Sequence, residues 1–303
     1  MQELIDRAVA LQPLLREHAT KIDADRRVPD EVLDALTRAE LMRLSIPKRY
    51  GGLGTDMRTM LEVSAAVAEA DGSTSWLVTL VNVCNWLTSL FPEPAQQEVF
   101  ADPHARVTGV LTPSATSVEV DGGWQVTGRW YYNSGSWHST WAVLGVPLTT
   151  VTGEVVDQAL VLVPRADLEI EDTWFVTGMR GTASNCLIAD DVFVPAHRVL
   201  SVPAAIAGNY PVATTDEPLT RSAFIPVLAL VLACPQIGLG RAALKYVIEK
   251  AGKKAVTYTF YDTQAASTAF QLQIAEAANK IDTAYLHAVR AATDIDTWAL
   301  RGE

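Results

Sequence analysis

Two short stretches concentrate side chains able to grip a flat ligand. One runs Thr127-Gly128-Arg129-Trp130-Tyr131-Tyr132-Asn133-Ser134-Gly135-Ser136-Trp137-His138-Ser139-Thr140-Trp141; the other runs Asp172-Thr173-Trp174-Phe175-Val176-Thr177-Gly178-Met179-Arg180-Gly181-Thr182-Ala183-Ser184-Asn185. Each sets aromatic rings beside hydroxyls, amides and glycine-freed backbone. A planar heteroaromatic molecule needs that mixture: rings or apolar walls against its faces, donors and acceptors at its edge. Other chemistries find little footing. Gly51-Gly52-Leu53-Gly54 lacks the following glycine pattern and the lysine of a phosphate-cradling loop. His18, His104, His138, His197 and His287 show neither HxH nor HExxH spacing, so no metal site is expected. No GxSxG serine-hydrolase elbow occurs.

Each of these residues also has a plain structural reading. Ser134 can end a strand through a local hydrogen bond. A lone His138 among tryptophans suits a satisfied structural role, with catalysis the rival. Trp130, Trp137 and Trp141 suit packing, and Trp174 suits either a ring cover or the core. Arg180 can pair with Asp190 or Asp191, or contact an anion. Cys84 suits a small hydrophobe. Asn82 and Asn85, polar on an apolar helix, must either bond internally or face a pocket.

The elements that position them follow an α, β, α order. Leu4, Ala8, Leu11 and Leu15 recur at helical spacing, and Pro29-Asp30-Glu31 opens a second helix. Asp56 is placed to cap a helix over Met57–Ala68. After Asp71-Gly72, Ser73 or Thr74 is placed to cap an almost wholly apolar helix, Trp76–Leu90, expected at the centre. From Ala105 the pattern becomes β: runs at 107–111, 118–120, 124–132, 140–146, 159–163 and 186–194, with Asp121-Gly122-Gly123 as a hairpin turn. These runs predict a small antiparallel β domain. Val202–Leu219 reads as a linker, Ala223–Lys250 as one long helix kinked at Pro235, and Phe270–Ala292 as a last amphipathic helix. The expected domains are 1–104 (helical), 105–200 (β) and 201–303 (helical bundle, more of which a longer chain or a partner would supply).

Composition narrows the function classes. A chain of 303 residues that is 49% hydrophobic has ample apolar surface to fold. A net charge of −11, with no Lys/Arg block, argues against nucleic acid. Cys84, Cys186 and Cys234, widely spaced, read as reduced thiols of a cytoplasmic protein. The first sixteen residues lack a signal-peptide core. Gly72–Pro92 and Ser222–Gly240 are uncharged and long enough to span a bilayer, but their polar residues and prolines read as buried helices, so no membrane partner is expected.

The two stretches resemble the flavin-binding β domain of the acyl-CoA dehydrogenase fold, and more closely the oxygenase components of two-component flavin-dependent monooxygenases. Arg27–Gly54, Gly72–Ser75 and Asp190-Asp191-Val192-Phe193-Val194-Pro195 share in the likeness, and Trp174–Pro195 is its most specific part. The texture of Gly122–Trp141 is similar to that of aromatic-polyketide hydroxylases. The resemblance implies an α+β fold: an N-terminal helical domain, a central antiparallel β domain and a C-terminal helical bundle, assembled as a homotetramer. It implies reduced FMN or FAD from a separate flavin reductase, molecular oxygen, a flavin C4a-hydroperoxide, and hydroxylation of a small aromatic or polycyclic substrate. By position, Tyr132, Asn133 and Ser134 fall at the flavin N5 edge, Thr112 at the end of the first flavin-contacting strand, Trp174 over the ring, and Arg180 and Thr182 in the loop that follows. Ser134 and His138 are the catalytic candidates, and Asn82, Cys84 and Asn85 the substrate-binding ones. The Trp76–Leu90 helix and residues 223–243 would wall the substrate. Cys84, Ala115 and Thr257 depart from the residues usual there, the first replacing a histidine. Three alternatives share the fold: an amino-sugar N-oxygenase, which needs more charge; an acyl-CoA dehydrogenase, which needs a carboxylate over the flavin; and a non-catalytic ligand-binding or assembly member.

Overall fold

The computed structural model describes residues 1–212 and 216–302. Five helices come first: α1 (Gln2–Asp25), α2 (Asp30–Arg38), α3 (Met57–Ala68), α4 (Gly72–Thr88) and α5 (Glu93–Phe100). Asp56 caps α3 as expected, its carboxylate accepting from the Thr59 N–H at 2.8 Å. The cap of α4 is Asp71, accepting from the Thr74 N–H at 2.7 Å, and not Ser73 or Thr74. A carboxylate at a helix start gains from both charge-assisted bonding and the helix dipole, which a hydroxyl does not match. Most of α4 is buried, with Trp86 and Leu87 in the central core. The eight-residue α5 has no counterpart in the sequence expectation, being too short to show a period.

Eight strands follow: β1 (Val107–Val110), β2 (Ala115–Val120), β3 (Gly123–Asn133), β4 (Trp141–Thr149), β5 (Val155–Pro164), β6 (Glu169–Glu171), β7 (Asn185–Pro195) and β8 (Val199–Ser201). They form two four-stranded sheets, ordered β1-β4-β5-β8 and β2-β3-β7-β6. Val126, Trp130, Leu144, Val161 and Leu187 are among the residues packed in the core that the sheets share. Val120 pairs with Gly123 across the Asp121-Gly122 turn, where Gly122 takes φ 78°. One pairing corrects the antiparallel expectation: β1 runs parallel to β4, because β2 and β3 leave for the other sheet before the chain returns.

The remaining helices are α6 (Val202–Ile206), α7 (Phe224–Val231), α8 (Cys234–Ala251) and α9 (Thr268–Arg301). The single kinked helix expected over 223–250 is two helices. Pro235 sits in the first turn of α8, where its missing N–H is tolerated, so the chain breaks before it and does not bend through it. Residues 224–251 are long and apolar enough to cross a membrane by composition. Here α8 lies tightly on α3: a Cβ on Gly238 would stand 2.0 Å from the Ala65 carbonyl oxygen. From α9, the Asp296 carboxylate accepts the Met57 and Arg58 N–H groups at 2.8 and 3.0 Å, tying the last helix to the start of α3. Burial pushes that carboxyl up to about 6. Ala213, Thr214 and Thr215 of the expected linker, and Glu303, lie outside the described residues.

Candidate functional site

Near its end β3 departs from regular pairing with β7: the register slips between Trp130 and Asn133. Trp130 stays buried and donates its indole N–H to the Gly145 carbonyl at 2.9 Å, so it belongs to the core. Tyr132 is released outward with φ 68° and is 73% exposed. The half-buried Trp174 ring stands edge-on to it, centroids 6.1 Å apart, and donates its N–H to the Met179 carbonyl at 3.0 Å. Together Tyr132 and Trp174 make an aromatic shelf open on one side. Thr112 lies exposed in the β1–β2 connection.

The loop carrying Trp174 is fastened to the end of α1. Arg26 binds the Asp172 carboxylate through both terminal nitrogens at 2.7 and 2.6 Å, donates to the Trp174 carbonyl at 3.2 Å, and lies 4.0 Å over the Phe175 ring. Arg180 pairs with neither Asp190 nor Asp191. Its Nε donates to the Asp23 carbonyl at 2.8 Å, with the Asp23 carboxylate 3.6 Å away. Arg180 is thus a structural tie between the loop and α1 through its Nε. Gly181 is needed for this approach, since a Cβ there would meet Ile22 at 2.1 Å.

Beneath the shelf lies a line of polar groups. The Trp76 indole N–H donates to Ser134 Oγ at 3.0 Å; Ser134 Oγ pairs with Ser184 Oγ at 2.8 Å; and Ser184 Oγ pairs with Thr182 Oγ1 at 2.7 Å. Thr182 Oγ1 reaches the Met179 carbonyl at 2.9 Å. Ser134, Thr182 and Ser184 are all buried. Next to them the Asn133 amide is buried with neither its oxygen nor its nitrogen paired within the protein, and the Thr108 hydroxyl beside Gly135 is likewise unpaired. His138 occupies a buried turn with an unpaired Nε2. Burial, with Arg27 and Arg106 nearby, pulls its pKa down to about 4, so it is neutral at physiological pH.

From Trp76, one face of α4 leads into an apolar cavity of about 210 Å³. Leu80, Val83, Cys84 and Leu87 form one wall, Gly109 and Leu111 a second, and Leu228, Val231 and Leu232 of the α7 region a third. Trp76, Leu80 and Cys84 are spaced by four, so they fall on one side of the helix. Burial pushes the Cys84 thiol up to about 12, which leaves it protonated and unreactive. Among the described residues no ionised side chain lines this cavity.

Asn82 and Asn85 do not line it. The Asn82 oxygen accepts from the Leu44 N–H at 2.8 Å, while its nitrogen donates to the carbonyls of Leu41 and Val78 at 2.7 and 2.8 Å. Asn85 donates to the Met42 carbonyl at 3.1 Å and accepts from the Val107 N–H at 3.3 Å. Both expected substrate contacts are corrected: the irregular 41–45 backbone, which has few partners of its own, takes the amides. Trp76, Thr108 and Ser184, by contrast, reach the site without being singled out by sequence. The spacing of four between Trp76 and Leu80, and the alternation of Thr182 with Ser184, were the available signals.

Comparison with known proteins identifies the fold and the family. Residues 7–108 match the family model for the acyl-CoA dehydrogenase N-terminal domain, and residues 230–303 that for the acyl-CoA dehydrogenase C-terminal domain. The chain is 36% identical over 280 residues to the flavin-dependent monooxygenase oxygenase subunit HsaA of Mycobacterium tuberculosis, covering 91% of this chain and 70% of the relative. It is 31% identical over 287 residues to the FADH2-dependent resorcinol hydroxylase oxygenase component of a Rhizobium species, covering 93% of this chain and 70% of the relative. XiaF from Streptomyces, solved in complex with FADH2 and glycerol, superposes with a TM-score of 0.92 at 37% identity, over 99% of this chain and 76% of XiaF. With its aromatic shelf, hydroxyl line and apolar cavity, the chain belongs to the oxygenase components of flavin-dependent monooxygenases built on the acyl-CoA dehydrogenase fold.

Proposed function

We propose that this enzyme hydroxylates an uncharged aromatic or polycyclic ring, using reduced flavin delivered by a separate reductase and molecular oxygen, and that it works as a homotetramer. The observation that carries the reading is the continuity from the Tyr132–Trp174 shelf, past the Ser134 hydroxyl, along α4 into an apolar cavity. The residues fit an isoalloxazine ring. Tyr132 and Trp174 offer ring faces, and the unpaired Asn133 amide offers a donor and an acceptor to an edge that carries both. Reduced flavin, when bound, supplies the reducing equivalents that activate oxygen and pass one oxygen atom to the substrate. The protein's part is placement and exclusion. Ser134 holds the N5 edge through its hydroxyl. Leu80, Val83, Leu87, Leu228 and Val231 keep water from the reacting face. The protonated Cys84 offers no base or nucleophile, so the wall orients substrate by shape.

Nothing in the cavity favours the alternatives. An amino-sugar substrate calls for polar or charged partners, and a dehydrogenase calls for a carboxylate at the ring; the cavity wall presents neither among the described residues. Glu217, the acid nearest in sequence to α7, lies against Gly54 and accepts from the Lys48 N–H at 2.9 Å.

The test combines anaerobically reduced FMN or FAD, the protein, oxygen-18 gas and a panel of uncharged aromatics. The expected product carries one labelled oxygen. Ser134→Ala should divert about nine-tenths of the oxygen to hydrogen peroxide, a loss on the scale of one hydrogen bond. Failure of either reduced flavin to bind in calorimetry would overturn the reading.

A further inference from the structure

We propose that Thr182 and Ser184 decide whether Ser134 accepts or donates a hydrogen bond at the flavin N5, and that their hydroxyls reverse together when the flavin changes redox state. The proposal rests on the flavin reading above and concerns what this chain's own residues present to the ring.

A hydroxyl carries one proton and accepts twice, an indole N–H only donates, and a carbonyl only accepts. Trp76 therefore fills one Ser134 lone pair permanently. At the far end, the Met179 carbonyl already receives the Trp174 indole N–H at 3.0 Å and the Thr182 backbone N–H at 3.2 Å. That carbonyl keeps two donors whichever way the Thr182 hydroxyl points, so it takes the Thr182 proton at 2.9 Å as a shared third bond in one sense and releases it in the other.

Two senses of the array satisfy every member. In the first, Ser134 donates to Ser184, Ser184 to Thr182, and Thr182 to Met179. Ser134 is left with one empty lone pair, suited to the N5–H of reduced flavin. In the second, Thr182 donates to Ser184 and Ser184 to Ser134. Both Ser134 lone pairs are then filled and its proton is free, suited to the bare N5 of oxidised flavin. The change takes three hydroxyl rotations, breaks no covalent bond and exchanges no proton with water. Burial gives the device its point. Ser134, Ser184 and Thr182 are 5%, 4% and 1% exposed, so water is not at hand to complete an unpaired hydroxyl in either state.

Thr182→Val keeps the shape and removes the hydroxyl. Ser184 then has only Ser134 as an acceptor, which locks the second sense. Binding constants for oxidised and for dithionite-reduced FMN and FAD, measured anaerobically by calorimetry, read the consequence. Affinity for the reduced form should fall about tenfold relative to the oxidised form, equivalent to a midpoint potential about 30 mV lower for the bound two-electron couple. Ser184→Ala, which strips the acceptor from the Ser134 proton, should shift the ratio in the same direction. Thr182→Ser should restore it, and adding Thr182→Val to Ser134→Ala should change nothing further. A Thr182→Val effect that is equal on both redox forms, or that persists without Ser134, would overturn the proposal while leaving the flavin reading intact. Absence of flavin binding by the unaltered protein would remove both.

Discussion

The surroundings of His138 couple its protonation to folding. This residue sits in the Ser136–His138 turn, where the Arg106 Nε donates to its carbonyl at 2.7 Å, and Arg27, Arg106 and Asp30 are the charges that act on its ring. An unfolded histidine titrates near 6.5, whereas burial and the two arginines hold the folded one down to about 4. As pH falls through that window the unfolded chain takes up a proton that the folded chain refuses. The stability His138 contributes is thus complete above about 6.5 and drains away toward about 4. Thermal unfolding from pH 7.5 to 4.5 should show the parent protein losing more melting temperature than His138→Gln, which cannot titrate. Parallel curves would show that the ring's neutrality is irrelevant to folding. Ser134, the other catalytic candidate, is legible in sequence as a hydroxyl beside aromatic residues. Its partners are not, because Trp76 and Ser184 lie 58 and 50 positions away.

Among the elements, α4 carries the most duties, and its polar residues explain how it keeps its place. The apolar composition of residues 76–90 correctly put this helix at the centre. Periodicity alone could not tell whether Asn82 and Asn85 faced a ligand or the backbone, because that depends on the course of the 41–45 segment. Asn82→Ala would strand the Leu44 N–H and the Leu41 carbonyl in the interior, and the expected cost is about 3 kcal/mol in urea unfolding. A variant of undiminished stability that binds substrate poorly would return Asn82 to the pocket. The strands tell a similar story. Alternation and the Asp121-Gly122 turn revealed the long strands, but the slip that frees Tyr132 and the parallel β1–β4 pair come from tertiary packing. The tie between Arg26 and Asp172 spans 146 residues and leaves no local trace in the sequence.

Across the whole molecule many large apolar side chains stay exposed, and one group of them lies on the C-terminal helices. Tyr246 and Ile248 on α8, and Leu272, Leu286 and Trp298 on α9, all face outward. Such a surface is what the proposed tetramer would cover. Light scattering on the purified protein should return four times the chain mass, and Leu272→Asp with Leu286→Asp should lower it; a monomer at micromolar concentration would refute the tetramer.

The run of Trp76, Leu80 and Cys84 along a single helix has one more consequence. Inserting one residue between the first and the last would swing Cys84 about 100° around the axis, tearing the hydrophobic chamber from the indole that steadies Ser134. On the proposed reading, substrate preference would be retuned by exchanging side chains on this rail, whereas a one-residue insertion would disconnect the chamber from the flavin edge.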